Sequence, residues 1–275
     1  MMYHNICTAP SNKIGPWKYT VSPSLFEEQI EFLSEKYKIV TLDELVEKQE
    51  SERNLAVITF DDGYRNNLTK ALPILEKYEA PGTVYVSTEF IDGKAPYEFL
   101  LAGTVLQRDS IDVTVSGKRI NRTFNTQTSR AEAFREIKQV AKRSRNSRQE
   151  LLEKLSVEDA GVSMLSAEEI RELDEHPLAT VGAHGHRHLP LASLSDSEIV
   201  QEVEKCTLVL EDILGHPVSH FSYPYGSNNA KVRQVVRDAG YKTAVATNPS
   251  YIKLQKIVEK KFSLPRFDGS FTGIK

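Results

Sequence analysis

Leu55-Ala56-Val57-Ile58-Thr59-Phe60-Asp61-Asp62-Gly63 is an apolar, β-branched run that ends directly in two carboxylates and a glycine. A run of this length and composition predicts a strand buried on both faces, as in a parallel sheet. Similar runs occur at Gly82–Ser87, Ala179–Ala183, Ser219–Tyr223 and Thr243–Thr247, with weaker ones at Met1–Cys7, Lys38–Leu42 and Phe262–Pro265. Between them the apolar spacing changes to that of amphipathic helices. Phe26, Ile30, Leu33 and Tyr37 share one face after the start signal Ser22-Pro23. Thr41 with Glu44, Ser166 with Glu169 and Ser195 with Glu198 form three predicted capping boxes, and Gly240 is placed to end a helix that begins near Asn229. Seven or eight strands alternating with helices predict an α/β fold with a parallel sheet. A (β/α) barrel is favoured, and an open doubly wound sheet is the alternative.

The rhythm breaks once. Asp92–Leu165 reads as a turn-rich piece, a hairpin about Ser116-Gly117 and two polar helices near 131–143 and 147–155. It is expected to be an insertion after the fourth predicted strand, within one barrel domain spanning 1–275. Between Lys118 and Lys154 it carries eleven Lys or Arg against four Glu, in a chain of net charge -3. This surplus predicts a basic wall that favours an anionic or nucleotide-linked saccharide. Without aromatic interleaving it does not point to nucleic acid.

The 275 residues, 40% hydrophobic and 27% charged, exclude global disorder, and no 18-residue apolar run predicts a membrane span. Cys7 and Cys206 form neither a disulfide framework nor a thiolate zinc motif. With no leader pattern at the N-terminus, a cytoplasmic location is expected.

In a barrel, catalytic groups gather where strands end at their C-termini. Asp61-Asp62-Gly63 alone would suit a turn equally well. The run ATVGA, however, is followed by His184-Gly185-His186-Arg187-His188. A single histidine there would ordinarily be a hydrogen-bonded core residue, but three in five positions fit a metal site, since His184 and His188 at i and i+4 can converge on one ion. The run SHFSY leads into Pro224-Tyr225-Gly226, and FSL leads into Pro265-Arg266. All four features would face one mouth.

Thr59-Phe60-Asp61-Asp62-Gly63, the His184/His188 pair and Tyr223-Pro224-Tyr225-Gly226 resemble the first three motifs of the polysaccharide deacetylase family, carbohydrate esterase family four. Tyr3-His4-Asn5, Ser22–Phe32 and Leu264-Pro265-Arg266 resemble its exopolysaccharide and O-antigen branch. The resemblance implies a distorted, seven-stranded (β/α) barrel and a metal-dependent hydrolase that removes an acetyl or formyl group from an amino sugar or acylated saccharide. It implies Asp62, His184 and His188 as ligands of a divalent metal, with zinc expected and cobalt, nickel or iron also compatible with the donors. It further implies Asp61 as general base and the Tyr225 backbone N–H as oxyanion donor.

Three departures stand out: Ser222 replaces an expected arginine, Gly185 replaces a hydroxyl residue, and the late motif carrying the general acid is missing. Arg266 is therefore expected to assume the arginine's work, and His4 or His186 that of the proton donor. The same departures motivate a competing reading as a catalytically silent glycan-binding barrel. A third reading is an amidohydrolase acting on a non-sugar amide.

Overall fold

Residues 1–9, 14–47, 54–93, 96–141, 145–155 and 161–270 are described by a computed structural model. Its strands are β1 (Met2–Tyr3), β2 (Lys38–Ile39), β3 (Leu55–Ala56), β4 (Ile58–Phe60), β5 (Gly82–Val86), β6 (Ser110–Val115), β7 (Lys118–Thr123), β8 (Ala179–Ala183), β9 (His220–Ser222) and β10 (Thr243–Val245). Six of them form one parallel sheet in the order β1-β4-β5-β8-β9-β10. The predicted strand at 55–60 divides at Val57: β3 pairs with β2 in a separate two-stranded piece, while β4 enters the main sheet.

The chain folds into two compact units. The first comprises Met1–Cys7, Val21–Lys94 and Met164–Lys275, and contains the main sheet. β4 and β5 are buried at every position, as their unbroken apolar composition requires. Gly182 in β8 is one position where only glycine fits, because an added Cβ would lie 2.5 Å from the Tyr85 ring and 3.0 Å from the His220 carbonyl. Helices Pro23–Lys36, Ala167–Asp174, Asp196–Leu214 and Ala230–Asp238 supply apolar residues such as Phe26, Ile170, Val203 and Val232 to the core around the sheet.

A seventh position in the sheet is filled by Leu264–Gly269. Leu264 bridges Val245 at one sheet edge and Asp268 bridges Met2 at the other, both parallel. The Ala246 N–H donates to the Leu264 carbonyl, and the Met2 N–H to that of Phe267, each at 2.8 Å. Pro265 has no N–H to give a ladder, which accounts for a bridged segment rather than a continuous strand. The distorted seven-position barrel implied by the motifs is thus present, with one irregular stave.

The second unit comprises Thr8–Thr20 and Ala95–Ser163. It contains the expected hairpin, β6–β7, whose turn residues Ser116 and Gly117 both have positive φ (48° and 77°). Helices Gln127–Ala141 and Arg145–Leu155 correspond to the two polar helices. The stretch read as turn-rich instead contains a helix at Tyr97–Gln107. Phe99, Leu101, Ala102, Gly103, Thr104 and Val105 are all buried, so it has no polar stripe to reveal a helical period.

Carboxylates offset much of the basic surplus. Arg119 pairs with Asp112, Arg130 with Asp109, Lys138 with Glu98, Lys154 with Glu150, and both Lys118 and Arg122 with Glu136. Asp109, Asp112 and Glu98 lie outside the window that contains the surplus. Lys142, Arg143 and the Arg145 side chain lie outside the described part of the chain.

Candidate metal centre

β4 continues its extended course to Asp61, whose N–H donates to the Tyr3 carbonyl at 2.9 Å. The backbone then turns left-handed at Asp62 (φ 79°) and Gly63 (φ 81°). A non-glycine residue is rarely found in that region, and such strain concentrates at functional sites. The turn sends the two carboxylates to different partners.

Asp61 is 2% exposed and meets Arg266, 3% exposed, in a bidentate pair: Nη1 donates to Oδ1 at 2.8 Å and Nη2 to Oδ2 at 2.7 Å. The same guanidinium also donates to Thr59 Oγ1 (2.9 Å), Ser222 Oγ (3.0 Å) and the Ala246 carbonyl (3.0 Å). Burial pushes the Asp61 carboxyl upward, but Arg266, foremost among several opposing groups, helps to hold it at about 2. Asp61 is therefore ionised at neutral pH.

Asp62 points to the histidines. His184 follows β8, with its N–H donating to the Val86 carbonyl, and His188 closes the next turn with φ 53°. Asp62 Oδ1 lies 3.4 Å from His184 Nε2 and 3.2 Å from His188 Nε2. Its other oxygen, Oδ2, accepts from the Tyr64 hydroxyl at 3.0 Å.

These three donors fit a divalent cation. Asp62 Oδ1 is buried and receives no hydrogen bond. His184 Nδ1 lies 2.8 Å from the Ser222 carbonyl oxygen, which can only accept, so Nδ1 carries the proton and Nε2 presents a lone pair toward Asp62. Facing lone pairs repel unless a cation lies between them. Ligands about 2.0–2.1 Å from a tetrahedral ion lie roughly 3.3 Å apart, close to both observed separations. Asp62, His184 and His188 are also the cluster of potential metal donors found among the described residues.

The histidine loop is held from behind by Glu202, a 1% exposed residue of helix Asp196–Leu214. Its carboxylate accepts from the Arg187 N–H (2.8 Å) and Nε (2.5 Å), and its carbonyl accepts from the His186 N–H (3.2 Å). After β9, Pro224-Tyr225-Gly226 turns with Tyr225 at φ 58°, which places the Tyr225 ring 4.6 Å from that of His188. His4 follows β1, and its carbonyl accepts from Asn67 Nδ2 at 2.8 Å. His186 shares a hydrogen bond of 2.8 Å between Nδ1 and Thr88 Oγ1. Thr59 was marked from sequence only as the first residue of the motif that ends in Gly63, and Tyr64 and Glu202 were not singled out. Tyr64 stands two residues after Asp62, but nothing in the spacing of Glu202 marks it.

The parallel barrel thus carries an Asp-His-His cluster and an Arg-clamped aspartate at its strand ends. The polysaccharide deacetylase family model matches residues 48–244. YxkH of Bacillus subtilis (strain 168), which carries the polysaccharide-deacetylase name, is 20% identical over 254 residues, covering 90% of this chain and 64% of its own. The present chain thus spans less than two thirds of that relative. Among solved structures, the Streptococcus pyogenes deacetylase PplD, in complex with acetate, matches with a TM-score of 0.62 and 18% identity over 97% of this chain and 89% of its own. IcaB from Ammonifex degensii matches at 0.60 and 17%, over 96% and 88%. The chain belongs to the polysaccharide deacetylase family.

Proposed function

We propose that this protein is a metal-dependent deacetylase that hydrolyses the acyl group of an amino-sugar residue, N-acetyl before N-formyl. The observation that carries this reading is the juxtaposition of two carboxylates with separate partners, Asp62 facing His184 and His188, and Asp61 clamped by Arg266. A binding module has no evident use for an ionised base beside a three-donor metal site. A divalent ion held by Asp62, His184 and His188, with zinc the best match to the donors, supplies Lewis acidity toward the acyl carbonyl and toward water.

The chain's own residues supply the rest. Asp61, kept anionic by Arg266, takes the proton from the water that attacks the acyl carbon. Arg266 holds the carboxylate by two hydrogen bonds, and Ser222 Oγ helps to fix the guanidinium. The left-handed turn at Tyr225 offers its backbone N–H to the oxygen on which charge develops. His4, which follows β1, is the residue assigned to deliver a proton to the departing amine, so that amide and water give a carboxylic acid and an amino sugar. A preference for anionic substrates is not part of this reading, because much of the basic surplus that suggested it is paired with carboxylates.

The test combines metal analysis of the purified protein with measurement of acetate and formate released from acylated amino sugars. One divalent ion per chain and acid release that stops on chelation are expected. Turnover that persists in a metal-free protein would overturn the reading.

A further inference from the structure

Tyr64 directly follows Gly63 and takes no part in the chemistry proposed above. We propose that it is a positioning residue for the metal centre: its hydroxyl fixes the Asp62 carboxylate so that Oδ1, and not Oδ2, joins His184 and His188 in facing a divalent ion. This inference rests on the metal-dependent reading above. Its readout is metal affinity, which is measured without any acyl substrate.

The contact depends on the turn that ends β4. In an extended strand, residues two apart stand about 6.6 Å from each other with parallel side chains, so a tyrosine would carry its hydroxyl past an aspartate's short carboxylate. Here the left-handed backbone at Asp62 (φ 79°) and Gly63 (φ 81°) breaks that course. It returns the phenol to a residue the chain has just left, with Oη donating to Asp62 Oδ2 at 3.0 Å. Glycine is needed between them, because at that φ an added Cβ would also lie 3.2 Å from Val86 Cγ1.

Tyr64 is itself held from a distant part of the chain. It is 2% exposed, and its backbone forms an antiparallel bridge with Met164. The Leu165 N–H donates to the Gly63 carbonyl at 3.0 Å, and the Leu165 carbonyl accepts from the Asp92 N–H at 3.3 Å. Arg65 pairs with Glu169 in the helix that follows. A side chain locked in this way can orient another without a further loss of rotamer freedom.

The hydroxyl makes the two carboxylate oxygens unequal. A free carboxylate is a two-fold rotor with equivalent oxygens. In Asp62, Oδ2 takes the phenol proton, while Oδ1 is buried, receives no hydrogen bond and lies within 3.4 Å of both Nε2 atoms. Outer hydrogen bonds of this kind orient the carboxylates that bind metals. The plainer alternative is a core tyrosine whose hydroxyl simply takes the nearest acceptor. Such a hydroxyl would contribute to folding stability and leave the affinity for metal alone.

Competition titrations of Zn2+ against a chelator, on the full chain and well below the Tm of each metal-free variant, separate the two. Tyr64→Phe keeps the ring and removes the hydroxyl, and should weaken zinc binding by roughly 10–100-fold. Tyr64→Leu, which loses the ring as well, should bind zinc no better than Tyr64→Phe. Native affinity in Tyr64→Phe would overturn the proposal, as would an affinity loss confined to Tyr64→Leu. A native protein that binds zinc tightly yet releases no acid from acylated amino sugars would defeat the deacetylase reading only, because the same titrations still decide the role of Tyr64. A native protein that binds no divalent ion would defeat both.

Discussion

Arg266 and Asp61 stand 205 residues apart in sequence and meet through two parallel hydrogen bonds of 2.8 and 2.7 Å, both side chains almost wholly buried. An arginine expected at position 222 would have reached Asp61 from β9. Here the guanidinium comes from the segment that bridges both sheet edges, and the hydroxyl of Ser222 accepts a hydrogen bond from it.

Removing the clamp should be costly and should alter acid stability. Arg266→Met leaves a buried carboxylate without its partner, with an expected loss of about 3–5 kcal/mol, measured by chemical denaturation at pH 7. The folded Asp61 carboxyl is held at about 2, below its ordinary 3.8, so its contribution is complete above the ordinary value and disappears as pH falls through the folded one. The native protein should lose this contribution between about pH 4 and 2, whereas Arg266→Met should lack that step. A native-like acid profile in the variant would contradict the assignment.

The two aspartates should separate by phenotype. Asp62→Ala and His184→Ala should each lose bound metal together with activity. Asp61→Asn should keep its metal while turnover falls by roughly 100-fold or more. Metal analysis beside acid-release kinetics distinguishes them, and loss of metal from Asp61→Asn would exchange their roles.

Glu202 is not one of the three candidate metal donors, but it fastens Arg187 and His186 between His184 and His188. Supporting residues of this kind commonly alter metal affinity by about 10–100-fold. Glu202→Ala should weaken metal binding on that scale in a competition titration with a chelator, and Glu202→Gln, which keeps an acceptor for the Arg187 N–H, should lose less. Unaltered affinity in both variants would restrict Glu202 to general folding.

His220 offers a pH test remote from the metal. Burial lowers its pKa from 6.5, with Lys242 acting in the same sense and the Asp43 carboxylate, 3.6 Å away, opposing it; Nδ1 is 2.9 Å from Thr243 Oγ1. Folded His220 thus resists a proton that the unfolded chain accepts. Its neutral form imposes no penalty above pH 6.5, and stability should decline as pH falls below that value. His220→Gln should flatten this decline in thermal melts from pH 7 to 5, and an unchanged slope would assign the effect elsewhere.

What could be read from sequence followed local pattern. Apolar strands ending in Asp61-Asp62 or His184-Gly185-His186-Arg187-His188 pointed to the cluster of Asp62, His184 and His188, because β-strand burial and i, i+4 convergence are short-range properties. The capping signals at Ser166 and Ser195 appear as reciprocal capping boxes. Helix Tyr97–Gln107 escaped notice because burial around its circumference erased the amphipathic stripe. Residues 8–20 show no local sign that they belong with 95–163, since that association is made by contacts remote in sequence. Glu202 was hidden for the same reason: an acidic residue on a helix ordinarily faces water, and only the tertiary fold turns this one toward Arg187.

The Leu264–Gly269 stave also has a consequence for how the protein is made. One short stretch bridges β10 to β1 and brings in the guanidinium that keeps Asp61 charged, so neither event can precede the other by more than a few residues of synthesis. A nascent chain released before Leu264 would lack both the seam and the counter-ion, leaving a carboxylate poised for burial with nothing to neutralise it. The seam of the sheet and the counter-ion of Asp61 therefore arrive together, on the same handful of codons.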